Sequence, residues 1–248
     1  MRINIVIPVS NQANEIPFAI KSIIATLKKF SGVRFRLFIL NDASNDKSGK
    51  AIVRALTEAR TGLEIYLMDN HKTEGPTKSM LKLYQVALQE PCEFIIKMEI
   101  NRTFSYDEVL TKFCTYLKLN SGKTDEVVTG FRTLFSQLGP TPENKEETQE
   151  RLQEMSASGC SEDYFPESVG VQAFPSGLLK RLLNAEVVQS YGKAWGLDVL
   201  LPITAKKWGC TLTTIPMYEN SFSPRPGESA SQESQDKAFQ LVLRMISA

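Results

Sequence analysis

Apolar runs and polar turns alternate at close intervals along the first 100 residues of the chain. Runs rich in β-branched and aromatic residues predict buried strands at 3–9, 35–40 and 63–68. Each run is followed by apolar residues at helical spacing, as with Ile16 and Ile20 after the first strand. This alternation is typical of βα units, so we expect an α/β fold with an open mixed, mostly parallel sheet and helices on both faces.

A fourth predicted strand, within 92–102, ends on two side chains that can bind a metal ion. Its apolar run 94–98 is followed by Glu99 and Asn101, one residue apart. Ligands of open α/β sheets bind at the carboxyl ends of strands, and an acid-x-acid pair there can hold a divalent cation against a nucleotide diphosphate. The alternative is that both residues simply end the strand and begin a turn.

The second half predicts further elements around two long polar segments. Strands are predicted at 126–129, 169–174 and 211–215, and helices at 109–117, 178–183 and 236–246. We expect Gly130 to end the first of these strands, and Pro202 to lie in the first turn of a helix that ends near Trp208. The segments 136–168 and 221–232 have few apolar residues, so we expect mobile lids there. Ordinary surface loops are the alternative.

Composition narrows the class of protein. The chain has 248 residues, which we expect to form one domain with a nucleotide-binding half at 1–102 and an acceptor-side half at 103–248. Its 29 basic and 28 acidic residues balance, which disfavours nucleic-acid binding. Four scattered cysteines and one histidine do not form a zinc pattern.

No apolar run approaches the roughly 20 residues of a membrane span. We expect a cytoplasmic protein, with peripheral membrane contact as the alternative.

Polar residues directly after the predicted strands are the candidate ligands of a nucleotide. Ser10 and Asn11 follow the first strand, Asp42 and Ser44 follow the second, and Lys78 follows the third. These positions converge on one edge of a parallel sheet. Asp42 can accept hydrogen bonds from uracil or guanine, and Lys78 can contact phosphate. The alternatives are a turn aspartate that bonds its own backbone and a solvated helix lysine.

These motifs resemble a known family. The segment 7–12, Ile-Pro-Val-Ser-Asn-Gln, the segment 40–46, Leu-Asn-Asp-Ala-Ser-Asn-Asp, and the Glu-x-Asn strand end resemble the I-P-x-Y-N-E, V-D-D-x-S-x-D and D-x-D motifs of family-2 glycosyltransferases of the GT-A fold. The resemblance covers nearly the whole chain. It implies that Asp42 holds the donor base, and that Glu99 and Asn101 hold Mg²⁺ or Mn²⁺ against the donor diphosphate. The implied donor-binding residues also include Pro8, Ser10, Asn11, Ser44, Lys78 and Glu99 itself.

The second half adds two matches to one subgroup of that family. The segment 195–201, Trp-Gly-Leu-Asp-Val-Leu-Leu, resembles the W-x-F-D-V-E-L segment of dolichyl- or polyprenyl-phosphate glycosyltransferases. The segment 225–229, Arg-Pro-Gly-Glu-Ser, resembles their R-x-x-G-E-S segment with one residue missing. This resemblance implies that Asp198 is the catalytic base and that Arg225 and Ser229 bind donor phosphate. The alternatives are that Asp198 caps a helix and that 225–229 is an ordinary Pro/Gly loop.

At five positions this chain has a residue that differs from the usual family motif. Ser10 replaces tyrosine, Gln12 replaces glutamate, Asn41 replaces aspartate, Leu197 replaces glutamate and Asn101 replaces aspartate. Since asparagine brings no charge, we expect the metal to bind weakly or only together with the donor.

The expected function is inverting transfer of a sugar from a UDP- or GDP-sugar to an acceptor hydroxyl, as on a glycan, or to a polyprenyl phosphate. The first alternative is a non-catalytic nucleotide-binding or scaffold protein on a degenerate fold. A sugar-phosphate nucleotidyltransferase is disfavoured, because 10–14 has neither the glycine nor the basic residue of a phosphate-gripping loop.

Overall fold

A computed structural model describes residues 1–100, 105–132, 169–192 and 196–217. Several predictions fall outside these described residues. They concern the metal ligand Asn101, the phosphate ligands Arg225 and Ser229, the segments 136–168 and 221–232, and the closing helix 236–246.

Seven strands in the described part of the chain form one mixed sheet, in the order β3-β2-β1-β4-β6-β5-β7. The strands are β1 (Arg2–Val9), β2 (Arg34–Asn41), β3 (Glu64–Asp69), β4 (Phe94–Lys97), β5 (Glu126–Arg132), β6 (Val169–Pro175) and β7 (Thr211–Met217). β6 runs antiparallel to its neighbours β4 and β5, while the other pairs are parallel. This confirms the expected mixed, mostly parallel sheet.

Helices cover both faces of this sheet. They are α1 (Ile16–Leu27), α2 (Ser48–Ala59), α3 (Pro76–Ala87), α4 (Tyr106–Leu119), α5 (Ser176–Leu183), α6 (Glu186–Gln189) and α7 (Leu197–Lys207). One apolar core joins the sheet to α1, α2 and α4, and a second joins it to α3, α5, α6 and α7. Neighbouring residues of one strand serve both cores, as Ile95 and Ile96 do in β4. Among the described residues, no helix is both long enough and apolar enough to cross a bilayer.

The prediction that Gly130 ends β5 was wrong. The strand continues to Arg132, because its pairing with β7 extends through Gly130 opposite Ile215. On the other side, the register with β6 shifts between Thr129 and Gly130. The glycine therefore marks an irregularity inside the strand, which is a common role of glycine in sheets.

The prediction for Pro202 was also wrong, because the residue lies inside α7 rather than in its first turn. Proline has no N–H, so an interior proline leaves the carbonyl four residues earlier without its helical donor. In α7 that carbonyl belongs to Asp198, and the side chain Nε2 of Gln172 in β6 donates to it at 2.5 Å. A contact from the sheet therefore replaces the missing helical hydrogen bond.

Candidate functional site

A pocket opens at the carboxyl edge of the sheet, where β1 and β4 end. It lies between the first turns of α3 and α7. Residues that line it include Pro8, Thr77, Tyr84, Lys97, Glu99 and Asp198. Three predicted site residues, Pro8, Glu99 and Asp198, are thus brought together, although they lie far apart in sequence. This is the position at which open α/β sheets bind their ligands.

The early turns of two helices border this pocket. α3 begins after Gly75, and α7 begins after Gly196, whose φ of 106° lies in the left-handed region that favours glycine. Pro76 and Thr77 of α3, like Gly196 of α7, line the pocket. The first N–H groups of a helix have no intrahelical partner and carry partial positive charge. At α3, Pro76 has no N–H and the N–H of Gly75 already donates to Asp42. The start of α7 is therefore the feature of this pocket that favours an anion such as phosphate.

Lys97 lies at the bottom of the pocket between two carboxylates. Its Nζ is 2.7 Å from Oε1 of Glu99 and 3.5 Å from Oδ2 of Asp198. The side chain of Lys97 is 5% exposed, whereas Glu99 and Asp198 are 43% and 38% exposed. The predicted metal ligand and the predicted base therefore share one buried cation.

The surroundings of Lys97 keep it charged. Burial alone would lower the pKa of its ammonium, but the carboxylates of Glu99 and Asp198 outweigh burial and raise that pKa above its ordinary value. Tyr84, which packs edge-on against Phe174, is buried beside this cluster, and burial raises the pKa of its phenol. Lys97 is therefore an ammonium and Tyr84 a neutral phenol at neutral pH.

Strand β6 shapes the other wall of the site. Gly170 lies so close to Glu99 that a Cβ at that position would be 2.1 Å from Cδ of Glu99. Two residues further along, the fully buried Gln172 pairs with Lys97 across the sheet and holds the Asp198 carbonyl. Residues of one strand thus limit where both carboxylate-bearing segments can lie.

Asp42 is buried and bonded to the loop that leads into α3. The N–H groups of Glu74 and Gly75 donate to its carboxylate at 2.9 and 3.0 Å, and Nδ2 of Asn70 donates at 2.8 Å. These partners lie in another loop, so Asp42 is not a turn aspartate that bonds its own backbone. It fixes the residue that precedes α3, while its role in holding a donor base stays a prediction.

The hydrogen bonds of Asp42 also set its acidity. Burial raises the pKa of this carboxyl, but the hydrogen bonds from the 70–75 loop and Ser79 together outweigh burial and lower the pKa below its ordinary value. A carboxyl of this kind stabilises the folded state above the unfolded pKa of about 3.9, and the stabilisation is lost as the pH falls through the folded pKa.

We therefore expect Asp42→Asn to lower the free energy of unfolding by about 1–3 kcal/mol at pH 7, because an amide cannot accept all of these hydrogen bonds. The difference from the wild type should shrink below about pH 4, where the wild-type carboxyl also loses its charge. Urea denaturation at pH 7 and at pH 3 measures both effects. Asp69→Asn, at the exposed end of β3, is the matched control. An equal loss at both pH values would contradict the assigned role of the charge.

Three other predicted donor-binding residues, Ser10, Asn11 and Ser44, lie in the turns after β1 and β2. The N–H of Asn11 donates to Oγ of Ser44 at 2.9 Å, and Ser44 in turn donates to Oδ1 of Asn41 at 2.6 Å. These contacts tie the two turns together at the carboxyl edge. Ser10 is exposed at their surface, and Lys78 is exposed in the first turn of α3.

A divalent cation does not fit the described residues as they stand. Glu99 is the expected ligand among them, and its Oε1 already bonds the Lys97 ammonium. In the described part of the chain, no three histidine, cysteine, aspartate or glutamate side chains form a metal-binding group. A metal ion beside Glu99 would lie next to a buried positive charge, which is unfavourable.

Three residues of the site were missed by the sequence prediction. Lys97 was counted as an extension of an apolar strand, and Gly170 and Gln172 were not singled out. A charged residue in the middle of an apolar run was the available signal for Lys97, because lysine is rarely buried without a partner. The roles of Gly170 and Gln172 depend on the pairing of β6 with β4, for which the sequence carries no local signal.

The fold of this chain is shared with solved structures, although no family model and no curated protein matches its sequence. A mannosyltransferase from Pyrobaculum calidifontis in complex with GDP-Man and Mn²⁺ has a TM-score of 0.65 at 16% identity, with 99% of this chain and 69% of that chain covered. Glucosyl-3-phosphoglycerate synthase from Mycobacterium tuberculosis, in complex with Mn²⁺, UDP and glucosyl-3-phosphoglycerate, has a TM-score of 0.66 at 14% identity, with 99% and 80% covered. The seven-stranded sheet therefore has the fold of GT-A-type glycosyltransferases.

Proposed function

We propose that this chain is an inverting glycosyltransferase that moves a sugar from a nucleoside-diphosphate donor to an acceptor. The observation that carries the proposal is the pocket at the carboxyl edge, where Glu99 and Asp198 lie on either side of Lys97 between the first turns of α3 and α7. In this proposal the amino end of α7 favours the donor diphosphate, and the carboxylate of Asp198 beside it acts on the acceptor. The similar structures contain GDP-Man in one case and UDP in the other, which supports the same class of donor here.

In this proposal Asp198 is the general base. The carboxylate takes the proton from the acceptor hydroxyl as its oxygen attacks the anomeric carbon of the sugar. The bond from that carbon to the diphosphate breaks on the opposite face, and the nucleoside diphosphate leaves with the electron pair. Attack in line with the leaving group inverts the configuration. General-base assistance of this kind contributes about 10²–10⁴-fold to a rate.

The chemical class of the acceptor determines whether Asp198 is needed as a general base. A hydroxyl needs a base, whereas a lipid phosphate such as polyprenyl phosphate is already ionised. With a phosphate acceptor, Asp198 would position the acceptor and act through its charge. We propose the hydroxyl acceptor first, because that acceptor needs a base and the carboxylate of Asp198 lines the pocket and is 38% exposed.

The second candidate is a non-catalytic nucleotide-binding or scaffold protein on the same fold. One observation favours it. Asp42, which the family resemblance assigns to the donor base, is 5% exposed and already accepts hydrogen bonds from the 70–75 loop. Under this alternative the protein binds a nucleotide weakly and transfers no sugar.

A thermal-shift screen of UDP- and GDP-sugars separates these functions from unrelated ones. A donor at about 100 times its Kd stabilises the folded state by about 2.7 kcal/mol. For a chain of this size each kcal/mol raises Tm by roughly 2–4 °C. We therefore expect one donor to raise Tm by several degrees, with inorganic phosphate and the free sugar as controls.

Turnover then distinguishes the enzyme from the scaffold. The stabilising donor should be hydrolysed slowly, or transferred when acceptors are supplied, and release of UDP or GDP measures this. The absence of a shift with every nucleotide sugar would contradict the proposed function. A shift without any release of the nucleoside diphosphate would favour the scaffold.

A further inference from the structure

Lys97 is a charged residue at a position where the sheet otherwise buries apolar side chains. Its neighbours in β4, Ile95 and Ile96, are fully buried, and Lys97 itself is 4% exposed. Burying an ammonium is costly unless opposite charges and hydrogen bonds compensate it. Glu99 and Asp198 supply that compensation at 2.7 and 3.5 Å. The lysine is therefore part of the pocket rather than of the core.

Resting on the proposed function, we infer that Lys97 is the resident cation of this site. It offsets the carboxylates of Glu99 and Asp198, so that a nucleoside diphosphate binds in the pocket without a divalent metal ion.

The charge balance of the pocket supports this inference. Glu99 and Asp198 bring two negative charges to the pocket, and Lys97 cancels one of them, so a diphosphate meets less repulsion there than it would without the lysine. A Mg²⁺ ion bound to Glu99 would lie about 2.0–2.1 Å from a carboxylate oxygen. The Lys97 ammonium is only 2.7 Å from the same carboxylate, so the two cations would repel each other strongly in a partly buried site.

The pocket also has a second positive feature for a diphosphate. The amino end of α7 lines it and follows Gly196, which has no side chain to cap the helix. Backbone N–H groups in such positions bind phosphate oxygens without a metal ion. The amino end of α7 therefore adds to the positive potential that Lys97 supplies.

Strand β6 holds this arrangement in place. Gly170 allows the Glu99 side chain to pack closely, and Gln172 holds the backbone of Asp198. Both carboxylates are therefore kept beside Lys97 rather than turned toward a separate metal position. The ammonium is part of the sheet, so the site does not have to bind a cation from solution.

Calorimetric titration of the full chain with UDP and with GDP tests the inference. We expect the wild type to bind one of them with a Kd that differs by less than about threefold between EDTA and MnCl₂. Lys97→Met should weaken binding in EDTA by at least about tenfold, and MnCl₂ should restore part of that loss, because the freed carboxylates can then hold Mn²⁺. Lys123→Met is the matched control, since Lys123 also bonds a buried carboxylate, Glu126, at the opposite edge of the sheet.

Each other outcome overturns the inference. If the wild type binds UDP or GDP only with MnCl₂, Lys97 does not replace the metal, although the proposed function stands. If Lys97→Met binds as the wild type does in EDTA, or loses affinity equally in EDTA and MnCl₂, its charge is not the deciding feature. If the wild type binds neither nucleotide in either condition, both proposals fail.

A second variant covers the case in which Lys97→Met does not fold. The double variant Lys97→Met/Glu99→Gln removes one positive and one negative charge, so the net charge of the pocket is unchanged. It should bind the nucleotide in EDTA within about threefold of the wild type. A loss of about tenfold or more by the double variant would overturn the inference, and the comparison of EDTA with MnCl₂ in the wild type requires no variant.

Discussion

Asp198→Asn is expected to slow sugar transfer to a hydroxyl acceptor by about 10²–10⁴-fold while the donor still binds. The amide keeps the size of the side chain but cannot take a proton from the acceptor. Because Gln172 holds the backbone carbonyl of residue 198, the position of the helix should not change. Initial rates with saturating donor, together with calorimetric titration of UDP or GDP, measure both quantities.

Asp107→Asn is the matched control for this change. Asp107 also lies in the first turn of a helix, α4, where it bonds Lys29 at 2.6 Å, and it does not line the pocket. This variant should transfer sugar at the wild-type rate. If Asp198→Asn retained full activity with a hydroxyl acceptor, Asp198 would not be the base. A small loss with a phosphate acceptor is the behaviour expected of an acceptor that is already ionised.

Gly170→Ala is expected to reduce transfer by roughly 10²-fold, because small displacements of groups in an active site have effects of that size. The added Cβ would lie 2.1 Å from Cδ and 2.3 Å from Oε2 of Glu99, so the carboxylate must move. Its move breaks the hydrogen bond with Lys97. Since the side chain of Glu99 is flexible and 43% exposed, stability should change little. Initial rates and thermal melting measure the two effects.

Gly62→Ala is the control for Gly170→Ala, since a Cβ there meets no atom within 4 Å. It should leave both the rate and Tm close to those of the wild type. Wild-type transfer by Gly170→Ala would show that the position of Glu99 does not limit the reaction. A large drop in Tm would show instead that the backbone of β6, rather than Glu99, gives way.

The sheet was predictable because its signals are local. Strands such as β1 and β2 are short apolar runs, and each is followed by a helix whose apolar residues recur at helical spacing. Because the carboxyl ends of parallel strands meet at one edge of the sheet, the polar residues that follow these strands lie together there. The pocket position of Pro8, Glu99 and Asp198 follows from that rule together with the family resemblance.

The details of the site depend on contacts between distant parts of the chain. Asp42 reads as a turn residue, yet its partners lie 28 to 33 residues later. Pro202 reads as a residue of a first turn, because the compensating donor, Gln172, is on another strand. From the sequence alone Lys97 is only a residue of a strand, because its partner Asp198 lies about 100 residues later and is brought beside it by the fold. Local propensity carries no information about such partners, since tertiary contacts override it.

The antiparallel strand β6 sets the spacing between the groups of this site. Its residues 170 and 172 are two apart and so face the same side of the sheet, one against Glu99 and the other against the start of α7. A slip of β6 by one residue would turn both toward the opposite core. The distance between the two carboxylates is therefore set by the pairing register of a single strand, so an insertion or deletion in β6 would disrupt both sides of the pocket at once.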